Sequence, residues 1–229
     1  MTLYALRDDT CVLHLPMNEG EGSVVYDHSR YGNNGQIIGA NWTTGKFGNA
    51  LSFDGVDDYV RVPNPEEIRF PANSPFTIAV WYNSVDSYSN GTGSPQYILF
   101  KKGAGYFSIA ALSSGKSAFE WNTIVEEGSL ITDGKWHFIV GVRKEDGEGL
   151  LYTDGELVAS GEFDNREVAN AATDLYIGQR DDGAYRTAGL IDEVRIYNRA
   201  LSEEEIKSLY LYYQNFEVRP CILCPRPTI

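Results

Sequence analysis

Long apolar runs, cysteine and cationic side chains are the scarce features of this chain. No segment of its 229 residues is long and apolar enough to span a bilayer as a helix, so membrane insertion is not expected. The first fifteen residues, MTLYALRDDTCVLHL, lack the basic start and apolar core of a signal peptide. Met1 is therefore read either as a native start or as standing where a leader has been removed. Three cysteines, Cys11, Cys221 and Cys224, do not make a disulfide framework. Cys221 and Cys224 have C-x-x-C spacing without a second pair or a neighbouring histidine; a zinc site, a bridge from Cys11 to the tail, and free thiols all stay open. Lys and Arg number 19 against 32 Asp and Glu, a net charge of −13. Such a surface repels phosphate backbones, which excludes nucleic acid as a partner, and it leaves room for a divalent cation.

What is abundant is short β-patterned runs broken by turns. They cover residues 11–15, 36–38, 50–53, 59–62, 76–82, 97–101, 106–111, 118–121, 136–143, 150–152, 156–160, 175–177 and 190–197. Regular short strands of this kind predict an all-β sandwich or jelly roll. Along 76–82, Phe76, Ile78, Val80 and Tyr82 share one face while Thr77, Ala79 and Trp81 share the other. Along 136–143, Trp136, Phe138, Val140 and Val142 oppose His137, Ile139, Gly141 and Arg143. Asp-Gly recurs at Asp54-Gly55, Asp133-Gly134, Asp146-Gly147, Asp154-Gly155 and Asp182-Gly183, a pair suited to turns with positive φ, and Asp154-Gly155 reads as a tight hairpin. One helix is expected. Ser202 and Glu205 form a capping box, Glu203 and Glu204 complement the helix dipole, and Ile206, Leu209, Tyr210 and Tyr213 make the packing stripe. The predicted organisation is an N-terminal extension at 1–10, one domain at 11–213, and an irregular Pro- and Cys-containing tail at 214–229.

Several segments carry a family likeness. Residues 13–20 (LHLPMNEG), 25–35 (VYDHSRYGNNG), 45–60 (GKFGNALSFDGVDDYV), 134–137 (GKWH), 151–155 (LYTDG) and 189–210 (GLIDEVRIYNRALSEEEIKSLY) occur in order. Together they resemble the laminin-G-like jelly roll of the concanavalin A-like superfamily. Arg30 stands where the Asp-x-Ser loop often has Gly, and Thr153 where Val or Ile is frequent; neither departure threatens the fold. The resemblance implies a two-sheet antiparallel jelly-roll sandwich with one short C-terminal helix. It does not imply one function, because this sandwich hosts lectins, polysaccharide-binding modules, adhesion domains and glycosidases.

By the same resemblance, one Ca²⁺ is expected between the Asp-x-Ser loop and the closing strand, with Asp27 and Asp192 as carboxylate ligands and Asn34 from the loop, since hard cations take oxygen donors. Asp57 and Asp58 are weaker candidates. The alternative for Asp27 is an Asx-turn. Glycoside hydrolysis needs two carboxyls flanking the scissile bond, placed in enzymes of this class as alternating Glu and Asp on one strand; the acidic pairs Asp192-Glu193 and Glu126-Glu127 are adjacent rather than alternating, and hydrolysis is not expected. His14, His28 and His137 have no Gly-x-Ser-x-Gly companion, and His137 is read as structural. Aromatic residues make up 13% of the chain, with 15 Tyr and 4 Trp, which suits a β-core and sugar stacking equally. Trp81, Tyr106, Trp121 and Tyr185 are the candidate platforms, with Arg143, Asp181 and Arg186 as polar neighbours. The loops at 88–95 and 178–187 are candidate recognition loops. Asn41-Trp-Thr43 and Asn90-Gly-Thr92 fit the glycosylation sequon.

The sequence thus predicts a non-catalytic module that binds a glycan or cell-surface polysaccharide, or serves adhesion, with one structural calcium. It would act extracellularly, at a cell surface or on a virion surface. The competing expectation is a structural protein, such as a virion decoration or surface-layer component, whose sandwich contacts other protein subunits.

Overall fold

The alternation along 76–82 is the axis of the molecule. In the computed structural model, which describes residues 8–86, 95–103, 105–121, 123–125, 128–162 and 172–214, Phe76, Ile78, Val80 and Tyr82 all enter a core shared by two sheets. Ala79 and Trp81, on the opposite face, enter a second core beneath the C-terminal helix. A strand with both faces buried reads as a nearly unbroken apolar run, and FTIAVWY is one.

Among the described residues, sixteen strands, a 3-10 turn at Glu66–Ile68 and one α-helix follow in chain order. They begin with β1 (Cys11–Leu15), β2 (Val24–Val25), β3 (Gly35–Ile38), β4 (Asn41–Thr44), β5 (Asn49–Asp54) and β6 (Tyr59–Val62). Next come β7 (Phe76–Asn83), β8 (Gln96–Lys102), β9 (Tyr106–Ala111), β10 (Ser117–Trp121) and β11 (Thr123–Val125). The last are β12 (Trp136–Arg143), β13 (Glu148–Thr153), β14 (Glu156–Glu162), β15 (Leu175–Ile177), β16 (Ala188–Tyr197) and α1 (Glu203–Gln214). The helix-side sheet has the order β14-β13-β12-β7-β16-β5-β4, with β1 also paired to β16. The open sheet has the order β11-β10-β9-β8-β15-β6-β3-β2. Every pairing is antiparallel. This is the expected jelly-roll sandwich.

Rings hold the sheets together. Phe76 stacks on Phe70 at 4.6 Å and lies 5.1 Å from Trp121 and 5.2 Å from Phe107. Burying each such ring contributes roughly 1.5–3 kcal/mol. The sheets approach so closely at Gly141 that a β-carbon there would lie 2.5 Å from the Phe119 ring. A single glycine in an otherwise apolar strand is thus a contact surface for a ring across the core.

The helix is held as the capping box predicts. The Glu205 N–H donates to the Ser202 hydroxyl at 3.3 Å, and the Ser202 N–H donates to Glu205 at 2.8 Å. Ile206, Leu209 and Tyr210 pack on the helix-side sheet; Tyr213 lies at the end of α1, beyond the described side chains. At the β13–β14 turn both Asp154 (φ 56°) and Gly155 (φ 82°) are left-handed, the geometry of a two-residue hairpin. The other four Asp-Gly pairs also place their glycine at positive φ. Three strands were not expected from the sequence: β2, β4 and β11. The sequence NWTT of β4, an edge strand, has only polar or half-buried positions, so it carries no apolar alternation to read. Cys11 carries a free thiol that donates to the Leu13 carbonyl at 3.3 Å, and burial pushes its pKa up to about 11. Cys221, Cys224 and the rest of the tail lie outside the described residues.

Candidate functional site

Of the five expected ligand-binding residues, the structure brings two to one surface and buries three elsewhere. Trp81 is 0% exposed beneath α1, packed on Phe138 at 5.2 Å, Phe47 at 5.6 Å and Tyr210 at 5.9 Å. Trp121 is 0% exposed in the core between the sheets. Arg143 is buried beside it, its guanidinium 4.6 Å from the Trp121 ring and donating to the Ser74 carbonyl at 2.9 Å. These three are structural, because neither indole face is open to a sugar and the guanidinium is spent inside the fold.

Tyr106 and Tyr185 belong to the outer face of the open sheet. Its strands alternate cleanly: Phe107 and Ile109 of β9 and Phe119 and Trp121 of β10 point into the core, so Tyr106, Ser108, Ala118 and Glu120 point outward. On β8, Phe100 and Lys102 face out, and a bulge between Tyr97 and Leu99 also turns Tyr97 outward. Register aligns Glu120, Ser108, Phe100, Tyr176 and Arg61 in one row across β10, β9, β8, β15 and β6. Tyr97, Phe100 and Tyr106 form a ring cluster, with Phe100 stacked on Tyr106 at 5.5 Å and edge-on to Tyr97 at 5.2 Å.

A pocket of about 430 Å³ opens above this cluster, lined by Tyr97, Phe100, Tyr106, Lys102, Arg180, Asp181 and Asp182 among others. A smaller one, about 260 Å³, adjoins it and is lined by Lys102, Thr173, Asp174, Tyr176 and Asp181 among others. The expected recognition loop at 178–187 supplies one wall. Its turn at Asp182-Gly183 is closed by the Gly183 N–H donating to the Arg180 carbonyl at 3.0 Å. Tyr185 sits at φ 55°, a costly conformation for a tyrosine, held there because its carbonyl accepts the Tyr97 N–H at 3.0 Å. Its ring carries the Arg180 guanidinium at 4.0 Å.

The charges of the pocket are largely internal. Arg180 Nε donates to Asp182 at 3.0 Å and Lys102 Nζ lies 3.0 Å from Asp181. Glu120, only 2% exposed, accepts the Ser108 hydroxyl at 2.7 Å. Burial pushes its carboxyl above the usual range, against the opposing pull of that hydrogen bond and of Arg180. Burial and the Glu120 charge likewise push the Tyr106 phenol up, so it stays a hydroxyl donor at neutral pH. The sequence expectations include Tyr106, Asp181 and the Asp182-Gly183 turn, and Arg180 only as part of the 178–187 loop, but not Tyr97, Phe100, Lys102 or Glu120. Arg186 is held within its own loop, its Nε donating to the Gly183 carbonyl at 2.8 Å. The loop at 88–95 lies almost wholly outside the described residues, as does Asn90; Asn41 is exposed at the start of β4.

The expected calcium ligands divide. Asp27 accepts four hydrogen bonds: Oδ1 from the N–H of His14 (2.9 Å) and Ser29 (2.8 Å), Oδ2 from the Ser29 hydroxyl (2.7 Å) and the Asn33 N–H (2.8 Å). Its lone pairs are therefore committed to the loop, as in the Asx-turn alternative, and to β1. Asn34 Oδ1 accepts the Asp27 N–H at 2.9 Å. Asp192 differs: it is 0% exposed, its Oδ2 accepts the Phe47 N–H at 3.0 Å, and its Oδ1 has no hydrogen-bond partner. Burial, with the Glu193 charge beside it, raises its pKa well above the carboxylate range. Among the described residues, the carboxylates that converge are those of Asp54, Asp57 and Asp58, at a turn that they close themselves through the N–H groups of Val56 and Asp54.

His137 has the structural role expected of it. Its Nδ1 lies 2.8 Å from Asp154 and its Nε2 3.0 Å from Asp133, which ties β12 to the β13–β14 turn and to the turn before β12. Asp154 chiefly raises the imidazole pKa above its usual value, against burial, and Asp133 adds to the rise. A raised histidine stabilises fully below its unfolded pKa, about 6.5, and the contribution is lost as pH climbs through the folded value. Unfolding free energy from urea melts should accordingly fall as pH rises above about 6.5, and His137→Gln should flatten that slope. An unchanged slope in the variant would assign the pH dependence elsewhere.

Residues 54–207 match a family model described as the concanavalin A-like lectin/glucanases superfamily. Adhesion G-protein coupled receptor V1 of Danio rerio is 28% identical over 156 residues, which is 59% of this chain but 2% of the receptor. The binding domain of Paraclostridial Mosquitocidal Protein 1 superposes with a TM-score of 0.71 at 18% identity, covering 90% of this chain and 53% of that one. Domain 4 of AbnA, an extracellular GH43 arabinanase from Geobacillus stearothermophilus, in complex with arabinotriose, superposes with a TM-score of 0.66 at 19% identity, covering 88% and 98%. At these identities the superpositions speak for the fold alone.

Proposed function

The chain belongs to the concanavalin A-like lectin/glucanases superfamily, and from that premise we propose that it is a non-catalytic carbohydrate-binding or adhesion module. Its glycan site is the pocket over Tyr97, Phe100 and Tyr106. One observation carries this reading: a half-buried tyrosine ring at the mouth of a concave site whose walls alternate donors and acceptors. Sugars offer an apolar ring face and a rim of hydroxyls, and this combination meets both. The ligand-bound arabinanase domain, which this chain spans almost completely, supports a binding role for the fold. The disposition of the carboxylates favours binding over hydrolysis. Asp181 and Asp182 are tied into ion pairs and Glu120 is buried, so they serve as acceptors more readily than as an acid and a nucleophile flanking one bond.

A single structural calcium at Asp192 is part of the proposal. The buried Oδ1 fits a cation's need for an anionic oxygen, while Asp27 and Asn34 fit less well because their acceptor oxygens already serve their own loop. Bound calcium would displace the proton that burial favours on this carboxyl and fix the turn at Phe47. The test is a glycan array probed with and without EDTA, alongside thermal melts. Specific binding to a defined glycan is expected, as is a melting temperature that rises with free calcium in wild type and not in Asp192→Ala. Complete silence on the array, together with a stable oligomer in solution, would reject the glycan reading in favour of an assembly role.

A further inference from the structure

The two cavities on the open sheet share a wall. Lys102 and Asp181 line both, and their ion pair at 3.0 Å stands between them. One cavity has the ring of Tyr106 backed by Phe100; the other has the ring of Tyr176, which leans on Tyr59 at 6.1 Å. Phe100 and Tyr176 are direct cross-strand partners, so the two aromatic sites are neighbours in one row that runs on to Arg61. Adjacent strands are about 4.8 Å apart, which makes the row from Ser108 to Arg61 about 14 Å long. That exceeds one sugar ring.

The charges along this row are already paired. Lys102 is matched by Asp181, Arg180 by Asp182, and Arg61 by Asp174 at 2.5 Å; Glu120 adds a further carboxyl. An acidic sugar would have to displace a protein carboxylate from each cation it approached, on a chain whose net charge is −13. A neutral sugar meets no such penalty, because an exposed ion pair still offers hydroxyls a donor and an acceptor side by side.

We infer that this face takes an uncharged oligosaccharide of at least two units, laid across β8 and β15 over two subsites, with the Lys102–Asp181 pair as the ridge between them. The inference rests on the glycan reading of the pocket, and the experiment separates the two. Titration calorimetry is run with arabino-, xylo-, manno- and cello-oligosaccharides from monomer to hexamer, and with galacturonate oligomers, on wild type, Tyr176→Ala, Tyr176→Phe and Tyr106→Ala. One neutral series should gain about tenfold or more in affinity from monomer to trimer. Tyr176→Ala should remove that gain and Tyr176→Phe should keep most of it, with melting temperatures confirming that each variant is folded. A monomer that binds as tightly as its trimer, a trimer indifferent to Tyr176→Ala, or a galacturonate series that binds more tightly than the neutral ones would overturn the inference and leave the glycan site standing. If no series binds, or if Tyr106→Ala changes nothing, the glycan reading itself falls.

Discussion

Trp81→Ala is expected to lower the unfolding free energy by about 3–5 kcal/mol and to leave glycan affinity at the wild-type value. Trp81 is 0% exposed at the centre of the second core, where β7, β12, α1 and the turn at Phe47 meet. Its removal opens a void that these elements cannot all close. Phe47 loses its edge-on partner, and Lys46 loses the ring that its ammonium approaches at 5.1 Å. Against a total stability of roughly 5–15 kcal/mol, the loss is a large fraction. Urea melts should show a lower midpoint with an unchanged slope, and Trp81→Phe should recover part of the difference. A loss below about 1 kcal/mol, or lost binding at full stability, would restore Trp81 to the role of a sugar platform.

The contrast between Trp81 and Tyr106 shows how far the sequence could be read. Period-two alternation correctly separates the faces of β7 and β12, and the capping box and Asp154-Gly155 correctly end their elements, because each is a local rule. Whether a face is core or surface is not local. The helix-side sheet is buried on both sides by α1 and the open sheet, so Trp81 and Tyr82 are equally enclosed although they point in opposite directions. Trp121 and Arg143 were misplaced for the same reason: an aromatic and a cation in strand context fit a binding face as well as a core where one packs on the other.

One signal for the proposed site is present in the sequence. Glu120 interrupts the apolar run of β10, SAFEW, and alternation places it opposite Phe119 and Trp121. Alternation thus puts a carboxylate on the outward face of β10, the face on which the proposed pocket lies. The remaining partners were hidden by distance along the chain. Ser108, Phe100, Tyr176 and Arg61 form one row only through the registers of β9, β8, β15 and β6, and β15 arrives from some seventy residues beyond β8. Arg180 and Asp182 depend on a loop conformation that bends Tyr185 into the left-handed region, which no spacing rule anticipates. The calcium expectation splits along the same line. Asp27 is satisfied by Ser29 and Asn33 of its own loop and by the His14 N–H of β1, whereas Asp192 owes its unmet oxygen to burial by segments far from it in sequence.

Tyr106→Ala should behave in the opposite way to Trp81→Ala. The ring is half-buried at the start of β9, stacked on Phe100 and open to the larger pocket, so the fold loses little and the site loses its stacking face. Interface rings of this kind cost about 2 kcal/mol or more when truncated, which corresponds to about a thirtyfold loss of affinity. The stability change should stay near 1 kcal/mol, typical of a partly exposed substitution. Tyr106→Phe keeps the stacking face and loses only the hydroxyl, so it should fall between wild type and alanine. Measuring calorimetric affinity and urea stability on the same preparations of Trp81→Ala and Tyr106→Ala gives a double dissociation that neither variant gives alone. A general loss of structure would lower binding in both, and a binding face elsewhere on the molecule would spare both. Only a ring that works at the surface of the open sheet, set against a ring that works inside the fold, predicts loss of affinity in the first and of stability in the second.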